Sequence, residues 1–493
     1  MNQPSLVLIT VDCMRADHVG WLGYDRPTTP FLDGIAKDSA VFSNAIVAGA
    51  PTYYSFPAIM ASRPPLALGR DIVGIAPGEA TLASVLKEAG YATAAFVAAN
   101  PYLSARFGYD CGFDAFYDFS EDVTGKAVTQ LDDGKSSVLA RLNRWLGAFS
   151  HHAEWSGAMY DELYFQYCQF AASRDSLEKL RPFPTADRIV SQASAWLADK
   201  KAKPFFLWLH FMDAHTPYYP TEAAWKAMGH PPLNRERTRY LNAYWNRSDI
   251  GMGRLRKRRE EIIELYDAGI RWVDTQVAWM AETLRELGAW ERSVIAVTAD
   301  HGEEFLEHGG RYHSPAQLGE EIIRVPLLIR DVKTPVRARI NAPFSLLHLA
   351  PTLLDALGIK APESFRGQSA GQQWKSHEES SDAAICEMVP QCTNPLRREN
   401  RTFPRTILLR EQNYKLVFDL GTSSVKLFDL SADPLECNAL RDGAEKAIQK
   451  RLLEKALQHV TCCLNERDPE KALMARLRDL RLECAQPGEP ASG

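Results

Sequence analysis

Short runs of almost purely apolar residues are the feature that most constrains the fold of this chain. Residues 6–10 form the first run, and a strand that is apolar throughout is typical of a parallel sheet covered on both faces. Stretches with helical spacing lie between the runs, so the pattern predicts an α/β fold: a large, doubly wound, mostly parallel sheet flanked by helices. The predicted strands are 6–10, 41–47, 92–98, 205–209 and 294–298, and the predicted helices include 29–37, 81–89, 186–198, 260–287 and 346–357.

The chain divides into three predicted regions. Residues 1–375 form the large α/β domain, with an insertion at about 120–182 that shows no strand signal and a second at about 221–258. Residues 376–440 form a smaller C-terminal α+β subdomain, in which hairpin signals predict an antiparallel sheet. Residues 441–493 are a charged helical extension with a tail, and its helices either mediate homo-oligomerisation or form a solvated pair. The subdomain strands are predicted at 406–410, 414–418 and 425–429, and the extension helices at 446–460 and 469–482.

Composition and charge exclude several classes of partner. The 493 residues are 45% hydrophobic and 24% charged, which is typical of a globular protein. A formal net charge of -5 gives no electrostatic basis for binding nucleic acid. No apolar run approaches the roughly 20 residues that span a membrane, and the N-terminus lacks a signal-peptide pattern. Nine cysteines without a CxxC pair fit a reducing compartment. We therefore predict a cytoplasmic protein without nucleic-acid or membrane partners.

Carboxylates and imidazoles follow the carboxyl ends of three predicted strands. In open α/β sheets this edge is where ligands bind. Several such side chains from distant parts of the chain predict a divalent metal site made of aspartate oxygens and histidine nitrogens. The glycine in the sequence 300–303 would let the backbone approach a ligand closely. The residues are Asp12 after the first strand, His210, Asp213 and His215 after the fourth, and Asp300, His301, His308 and His313 after the fifth.

A candidate nucleophile lies at the start of a predicted helical run. Thr52 and Ser55 lie just before the apolar helical segment 58–61. A helix N-terminus favours an anion through its dipole and free N–H groups. A metal would lower the pKa of a coordinated hydroxyl and make it a nucleophile near neutral pH. Taken alone, this segment is also compatible with Thr52 as a simple helix cap.

These motifs, in their order along the chain, resemble the sulfatase branch of the alkaline phosphatase superfamily over almost the full length. The resemblance implies hydrolysis or transfer of a phosphate, phosphonate or sulfate ester at a divalent metal. It is carried by residues 7–18, 23–30, 81–93, 205–217, 300–309, 324–329, 350–354 and 426–434.

The resemblance implies a role for each matching residue. Three of them, Asp12, Asp300 and His301, match the family's metal ligands, and Thr52 lies where the nucleophile coordinates the metal. A histidine that serves the leaving group would be His210, His215 or His313. We predict substrate-binding roles for Ser55, Asn100, Asp213 and His308. A second metal held by Asp213, His215 and His313 is a further hypothesis.

The sequence also departs from the sulfatase signature. Sulfatases convert a cysteine or serine to formylglycine, and that position is Thr52 here, so no formylglycine is expected. Tyr54 and Phe56 replace the proline and arginine of the signature, and Cys13 and His301 replace oxygen ligands of the calcium enzymes. Imidazole in place of oxygen shifts the expected metal from Ca²⁺ toward Mn²⁺ or Zn²⁺.

These inferences predict a metal-dependent hydrolase of phosphate or phosphonate esters, with phosphodiesters favoured and Thr52 as nucleophile. The expected partner is a small-molecule phosphate, phosphonate or sulfate ester. Three alternatives stay open: a sulfatase without formylglycine, a phospho-group transferase, and an inactive homologue that binds a ligand without turning it over.

Overall fold

The structure is a computed structural model that describes residues 3–120, 145, 154–171, 177–199, 203–331, 338–371, 383–441 and 445–464. A nine-stranded, mostly parallel sheet forms its centre. Its strands are β1 (Ser5–Val11), β2 (Ala40–Ile46), β3 (Ala92–Val97), β4 (Ala115–Tyr117), β5 (Phe205–Phe211), β6 (Ser293–Ala299), β9 (Arg324–Arg330), β10 (Ala338–Ile340) and β11 (Phe344–Ser345). Two short strands, β7 (Glu304–Phe305) and β8 (Arg311–Tyr312), pair beside this sheet.

The predicted mostly parallel sheet of buried strands is confirmed, and the order of the strands explains the apolar runs. The order is β10-β2-β9-β6-β1-β5-β3-β4, with β11 beside β2. Strand β1 lies between β5 and β6, parallel to both, and every residue of these three strands is buried. The predicted strands do not include β9, which runs antiparallel between β2 and β6. Its Pro326 has no N–H to donate, and the bulge in β2 between Phe42 and Ala45 accommodates it.

Helices cover the sheet, and local signals explain where several of them begin and end. Thr81 and Ser84 form a capping box at the start of one helix, and Gly358 ends another in the left-handed conformation at φ 78°. The helices of the described ranges are Pro30–Ala36, Thr52–Ala61, Leu82–Glu88, Glu154–Ala171, Leu177–Leu180, Ala186–Ala198, Glu222–Ala227, Arg235–Trp245, Met252–Arg256, Arg259–Glu286, Glu320–Ile323, Leu349–Leu357, Arg398–Arg401 and Lys446–Cys463.

The two insertions are helical where the structure describes them. Helix Glu154–Ala171 of the first insertion packs against helix Arg235–Trp245 of the second. Arg254, also of the second insertion, pairs with Asp161 of the first. No helix among the described ranges is both long and apolar enough to cross a bilayer.

The C-terminal region contains a separate antiparallel sheet of four strands in sequence order, and a helix covers it. The three predicted strands are present, and a fourth precedes them: β12 (Ala384–Met388), β13 (Thr406–Glu411), β14 (Tyr414–Asp419) and β15 (Ser424–Asp429). Helix Lys446–Cys463 packs Leu452, Ala456 and Val460 against β13 and β14. The predicted boundary at 375/376, the helix 469–482 and the tail lie outside the described residues.

Candidate active site

The carboxyl ends of β1, β5 and β6 bring the predicted ligands to one edge of the sheet. Val11 is in register with Phe211 on one side and Ala299 on the other, so Asp12 and Asp300 follow paired positions. The backbone of Asp12 continues this pairing, because its N–H donates to the carbonyl of Phe211 (2.9 Å). Strand register therefore brings together residues that are nearly 290 positions apart in the sequence.

Asp12, Asp300 and His301 form one buried group, which we call the strand-end cluster. Their ligand atoms all lie within 4.8 Å of one another. His301 Nε2 is 3.7 Å from Asp12 Oδ1 and 3.6 Å from Asp300 Oδ2. None of the three residues is exposed to solvent.

The electrostatics of the strand-end cluster fit a bound cation. Asp300 Oδ2 has no hydrogen-bond partner, and among the described residues no lysine or arginine pairs with either aspartate. Burial and the charge of Asp12 raise the pKa of Asp300. Burial opposes ionisation of Asp12 too, but His210, His215 and His301 hold its pKa well below the usual range. Two buried carboxylates without a lysine or arginine partner among the described residues are costly, and a divalent cation would balance them.

Thr52 completes this group of donors. It is the first residue of helix Thr52–Ala61 and is buried. Its Oγ1 lies 3.2 Å from His301 Nε2. The other nitrogen of that ring, Nδ1, faces the carbonyl of Gly302 at 2.9 Å, so it carries the proton and leaves the Nε2 lone pair free. The hydroxyl thus lies at a helix N-terminus and beside a nitrogen able to hold a metal or accept a proton.

Asn100 and His210 surround the other oxygen of Asp12. Asn100 Nδ2 donates to Asp12 Oδ2 (2.8 Å), and His210 Nε2 lies 3.6 Å from the same oxygen. The structure therefore places Asn100, predicted as a substrate-binding residue, directly against a candidate metal ligand.

Two further histidines lie beside the strand-end cluster: His313 contacts the ring of His301, and His215 contacts the ring of His313. Their ring centroids are 5.0 Å apart, and His313 lies 4.5 Å from the ring of His301. Burial lowers the pKa of His215. Burial also opposes the charged form of His313, but Glu303, whose Oε1 lies 3.5 Å from His313 Nδ1, raises the pKa of that imidazole. His215 also has a carboxylate nearby, because one of its ring nitrogens lies within 4.8 Å of Asp12 and Cys13 ligand atoms.

Two further residues line the site: Glu303, which received no role from the sequence, and Cys13, which was noted there only as a replacement of an oxygen ligand. Glu303 is fully buried, and neither of its carboxylate oxygens has a hydrogen-bond partner. Cys13 donates its thiol to Asp12 Oδ1 (3.0 Å) and lies 3.3 Å from His313 Nδ1. Burial and the surrounding carboxylates raise the pKa of Cys13 well above its usual value, so it stays protonated. The available sequence signal was that Cys13 directly follows Asp12 and that Glu303 lies two residues after His301.

Gly302 shows why the segment after Asp300 requires glycine. A Cβ built on Gly302 would lie 1.8 Å from the backbone oxygen of Glu321. The N–H groups of Gly302 and Glu303 donate to the carbonyls of Ile322 and Glu321. The close backbone approach predicted for this glycine is therefore made to the protein itself.

The remaining predicted site residues are Ser55, Asp213 and His308, and each has different surroundings. Ser55 is buried one turn after Thr52, and its Oγ has no hydrogen-bond partner. Asp213 Oδ1 accepts from Ala186 N–H (3.3 Å), at the start of helix Ala186–Ala198, and burial raises the pKa of Asp213 to about 7. Asp213 and His215 both line an open cleft, together with Arg181 and Phe183. His308 lies in a separate group with Glu321 and Glu436.

The comparisons with known proteins agree with this geometry. The family model "Sulfatase" matches residues 4–359. The chain belongs to the sulfatase family. A second model, the C-terminal region of N-sulphoglucosamine sulphohydrolase, matches residues 310–461.

Similar proteins include a multifunctional member of the alkaline phosphatase superfamily and an arylsulfatase. The chain is 25% identical to the multifunctional alkaline phosphatase superfamily protein PehA of Trinickia caryophylli, over 57% of this chain and 62% of that protein. It is 26% identical to an arylsulfatase of Clostridium perfringens, over 74% of this chain and 77% of the arylsulfatase. Members of this superfamily are ester hydrolases that use a divalent metal ion.

Solved structures show the same fold at low sequence identity. The phosphonate monoester hydrolase of Agrobacterium radiobacter superposes with a TM-score of 0.68 at 19% identity, covering 94% of this chain and 96% of the hydrolase. BT4656 in complex with its substrate D-glucosamine-2-N,6-O-disulfate superposes with a TM-score of 0.65 at 18% identity, covering 95% and 100% of the two chains. These superpositions establish the fold, and sequence identities this low leave the substrate open.

Proposed function

We propose that this sulfatase-family protein hydrolyses phosphate or phosphonate esters, preferring phosphodiesters, with Thr52 as the nucleophile. The observation that carries the proposal is the position of the Thr52 hydroxyl, 3.2 Å from His301 Nε2 beside the strand-end cluster. Threonine is not a precursor of formylglycine, so in this proposal the unmodified hydroxyl of Thr52 attacks the ester. The expected metal is Mn²⁺ or Zn²⁺, because imidazole is one of its ligands.

The residues that would hold the metal are Asp12, Thr52, Asp300 and His301. A divalent cation bound there would lower the pKa of the Thr52 hydroxyl and neutralise negative charge on the transferred group. In the proposed reaction, the Thr52 hydroxyl releases its proton to water and its Oγ attacks phosphorus. The bond to the leaving alcohol breaks, and a phosphothreonine forms. Water then attacks phosphorus and releases the product and the free hydroxyl.

His313 is the best-supported group for protonating the leaving alcohol. Its neighbour Glu303 favours the imidazolium form, whereas burial favours the neutral form of His215. A protonated His313 would donate to the leaving oxygen as its bond to phosphorus breaks. Part of the His313 side chain (16%) is accessible to solvent, so a substrate could reach it.

Initial rates on four matched nitrophenyl esters test the proposal: a phosphodiester, a phosphomonoester, a phosphonate and a sulfate. The protein is loaded with Mn²⁺ or Zn²⁺ and compared with Thr52→Ala and with Thr52→Ser, which keeps a hydroxyl. We expect turnover of the diester or phosphonate, its loss in Thr52→Ala, and partial retention in Thr52→Ser. Preferred turnover of the sulfate ester would contradict the proposal, and turnover that survives Thr52→Ala would exclude Thr52 as nucleophile.

The role of His313 has its own test, the dependence on the leaving group. A general acid matters more for an alkyl ester than for a nitrophenyl ester, because nitrophenolate leaves without protonation. His313→Gln is therefore expected to lower turnover of an alkyl phosphodiester by about 100-fold or more, and of the nitrophenyl ester by much less. Equal losses on both would remove His313 from that role and direct attention to His215.

Sulfatase activity is the second candidate, favoured by the number of sulfatases among the similar proteins. The same four esters separate the candidates. Activity that appears only when an alcohol acceptor is added would indicate a transferase, and bound metal without turnover of any ester would indicate a ligand-binding homologue.

A further inference from the structure

Three polar side chains form a hydrogen-bonded row between β1 and β5, behind the metal site. Thr10 and His210 are directly opposite in the pairing of the two strands, and Trp208 lies two residues earlier on the same face of β5. Trp208 Nε1 donates to Thr10 Oγ1 (3.0 Å), and Thr10 Oγ1 lies 2.9 Å from His210 Nδ1. All three side chains are fully buried, so bulk water does not compete for these contacts.

The Thr10 hydroxyl has a single proton, and the distances decide where it goes. The indole N–H of Trp208 already donates to the oxygen, so Thr10 needs an acceptor for its own proton. His210 Nδ1 lies at 2.9 Å, whereas the carbonyl of Leu209 lies at 3.4 Å, longer than an ordinary O–H···O hydrogen bond. The proton therefore goes to Nδ1. A neutral imidazole whose Nδ1 accepts a hydrogen bond carries its own proton on Nε2.

The other two histidines that face Asp12 have the opposite arrangement. His301 Nδ1 faces the carbonyl of Gly302 (2.9 Å), and His215 Nδ1 faces the carbonyl of Thr216 (2.5 Å). Because a carbonyl only accepts, both rings carry a proton on Nδ1 and present the Nε2 lone pair when neutral. The hydroxyl of Thr10 thus gives His210 a tautomer different from that of its two neighbours.

We propose that Thr10 is a positioning residue that fixes His210 as an Nε2–H donor directed at Asp12, and that His210 is therefore not a metal ligand. His210 Nε2 has no hydrogen-bond partner and lies 3.6 Å from Asp12 Oδ2. Asn100 donates to that same oxygen, while Asp12 Oδ1 faces His301. Two N–H groups on the Oδ2 side would hold the carboxylate so that Oδ1 is directed to the cation. The effect on metal affinity rests on the proposed function, whereas the tautomer does not.

Nitrogen NMR of the full-length protein with ¹⁵N-labelled histidine reads the tautomer directly, and His210→Asn assigns the signal. For the metal-free protein we expect a protonated Nε2 and an accepting Nδ1 at His210. Addition of Zn²⁺ is expected to shift the Nε2 signal of His301 and to leave His210 in the same tautomer. Thr10→Val has nearly the same shape without the hydroxyl, and it is expected to move the His210 proton to Nδ1 or to give a mixture.

Zn²⁺ affinity, measured by competition with a chelator, gives a second readout. Thr10→Val is expected to raise the dissociation constant by about 10-fold, the lower end of the range for residues that support metal ligands. Thr10→Ser keeps the hydroxyl and is expected to restore both the tautomer and the affinity. Thr298→Val is the matched control. Thr298 of β6 is directly opposite Thr10 in the pairing of β1 and β6, but its hydroxyl donates to the carbonyl of Pro326 instead of to a histidine. This variant is expected to leave the His210 tautomer unchanged.

Three results would overturn the inference: a proton on Nδ1 of His210 in the unaltered protein, a Zn²⁺-induced shift of its Nε2 that signals coordination, or an unchanged tautomer in Thr10→Val. Failure of the protein to bind Zn²⁺ would instead contradict the proposed function, and the tautomer in the metal-free protein would still decide the role of Thr10.

Discussion

Two buried clusters in this molecule contain the same types of residue but differ in how their charges are balanced. The strand-end cluster has Cys13 beside it, and the C-terminal cluster consists of Glu387, His459 and Cys463. In the C-terminal cluster, Glu387 Oε1 accepts from Leu66 N–H (3.0 Å), and Oε2 lies 3.3 Å from Arg405 and 3.4 Å from His459. A described arginine therefore neutralises this carboxylate, whereas none neutralises Asp12 or Asp300.

The pKa directions follow from this difference. Burial alone would raise the pKa of Glu387, but His459 and Arg405 lower it to about 2. Burial raises the pKa of Asp300, and no cation of the protein reverses the shift. The comparison teaches that carboxylate, imidazole and thiol in one place do not identify a metal site. Buried charge that the protein leaves unbalanced is what favours a cation at the strand-end cluster. The C-terminal cluster instead connects β12 to the helix Lys446–Cys463 and to the segment that holds Leu66.

The largest effect is expected from breaking the balanced cluster. Glu387→Gln removes the buried carboxylate that faces Arg405 and His459, which is expected to lower the free energy of unfolding by about 3–5 kcal/mol. Chemical denaturation measures it. The control is Glu291→Gln, which breaks the exposed ion pair with Arg330 and is expected to cost less than about 1 kcal/mol. A loss at Glu387 no larger than at Glu291 would contradict the balance described here.

The opposite sign is expected in the strand-end cluster. Asp300→Asn removes a buried negative charge that the protein does not neutralise, so the metal-free variant is expected to unfold at a higher temperature. It also removes a metal ligand, and its Zn²⁺ affinity is expected to fall by at least about 100-fold. Calorimetry with and without Zn²⁺ checks both. A metal-free Asp300→Asn that is less stable than the parent would mean that Asp300 is already compensated within the protein.

The C-terminal cluster predicts a pH dependence with two limbs. Glu387 has a folded pKa of about 2 against an ordinary 4.5, so its contribution is present above pH 4.5 and is lost as the pH falls toward 2. His459 has a folded pKa of about 10 against an ordinary 6.5, so its contribution is complete below pH 6.5 and is lost as the pH rises toward 10. Because the two groups share one interaction, we expect about 2 kcal/mol lost between pH 6.5 and 9. Thermal midpoints check this, and His459→Gln should flatten the alkaline limb.

The smallest effect is expected at Cys13. Its thiol is buried and protonated, so Cys13→Ala is expected to lower turnover by less than about 10-fold, the cost of one weak hydrogen bond to Asp12. Iodoacetamide followed by mass spectrometry should modify the exposed Cys437 and Cys462 and leave Cys13 unmodified. Rapid alkylation of Cys13, or complete loss of activity in Cys13→Ala, would contradict this prediction and indicate that the thiol acts as a ligand or a nucleophile.

The sequence was sufficient for the strands that form the site and for three of its donors. The run 205–209 lies within β5 and the run 294–298 within β6, because strands buried on both faces must be apolar throughout. Helix 186–198 is present with the predicted bounds. Asp12, Asp300 and His301 could be predicted to meet because the ends of parallel strands share one edge, whatever the loops between them do.

Partners that belong to no local pattern required the tertiary structure. The predicted substrate-binding residue His308 lies with Glu321 and Glu436, and Glu436 comes from the C-terminal region, more than 100 positions away in the chain. Strand β12 was not predicted, and its Glu387 meets Arg405 and His459 through pairing and helix packing that follow it in the chain.

The sequence by itself determined the α/β sheet, the edge at which carboxylates and imidazoles collect, and the family to which the chain belongs, because apolar periodicity and strand-end position are local properties of the chain. Only the tertiary structure decided which of the histidines offers a lone pair and which offers a proton, and which buried carboxylate has a basic partner. Those properties depend on single hydrogen bonds, such as the one between Thr10 and His210, that join residues 200 positions apart.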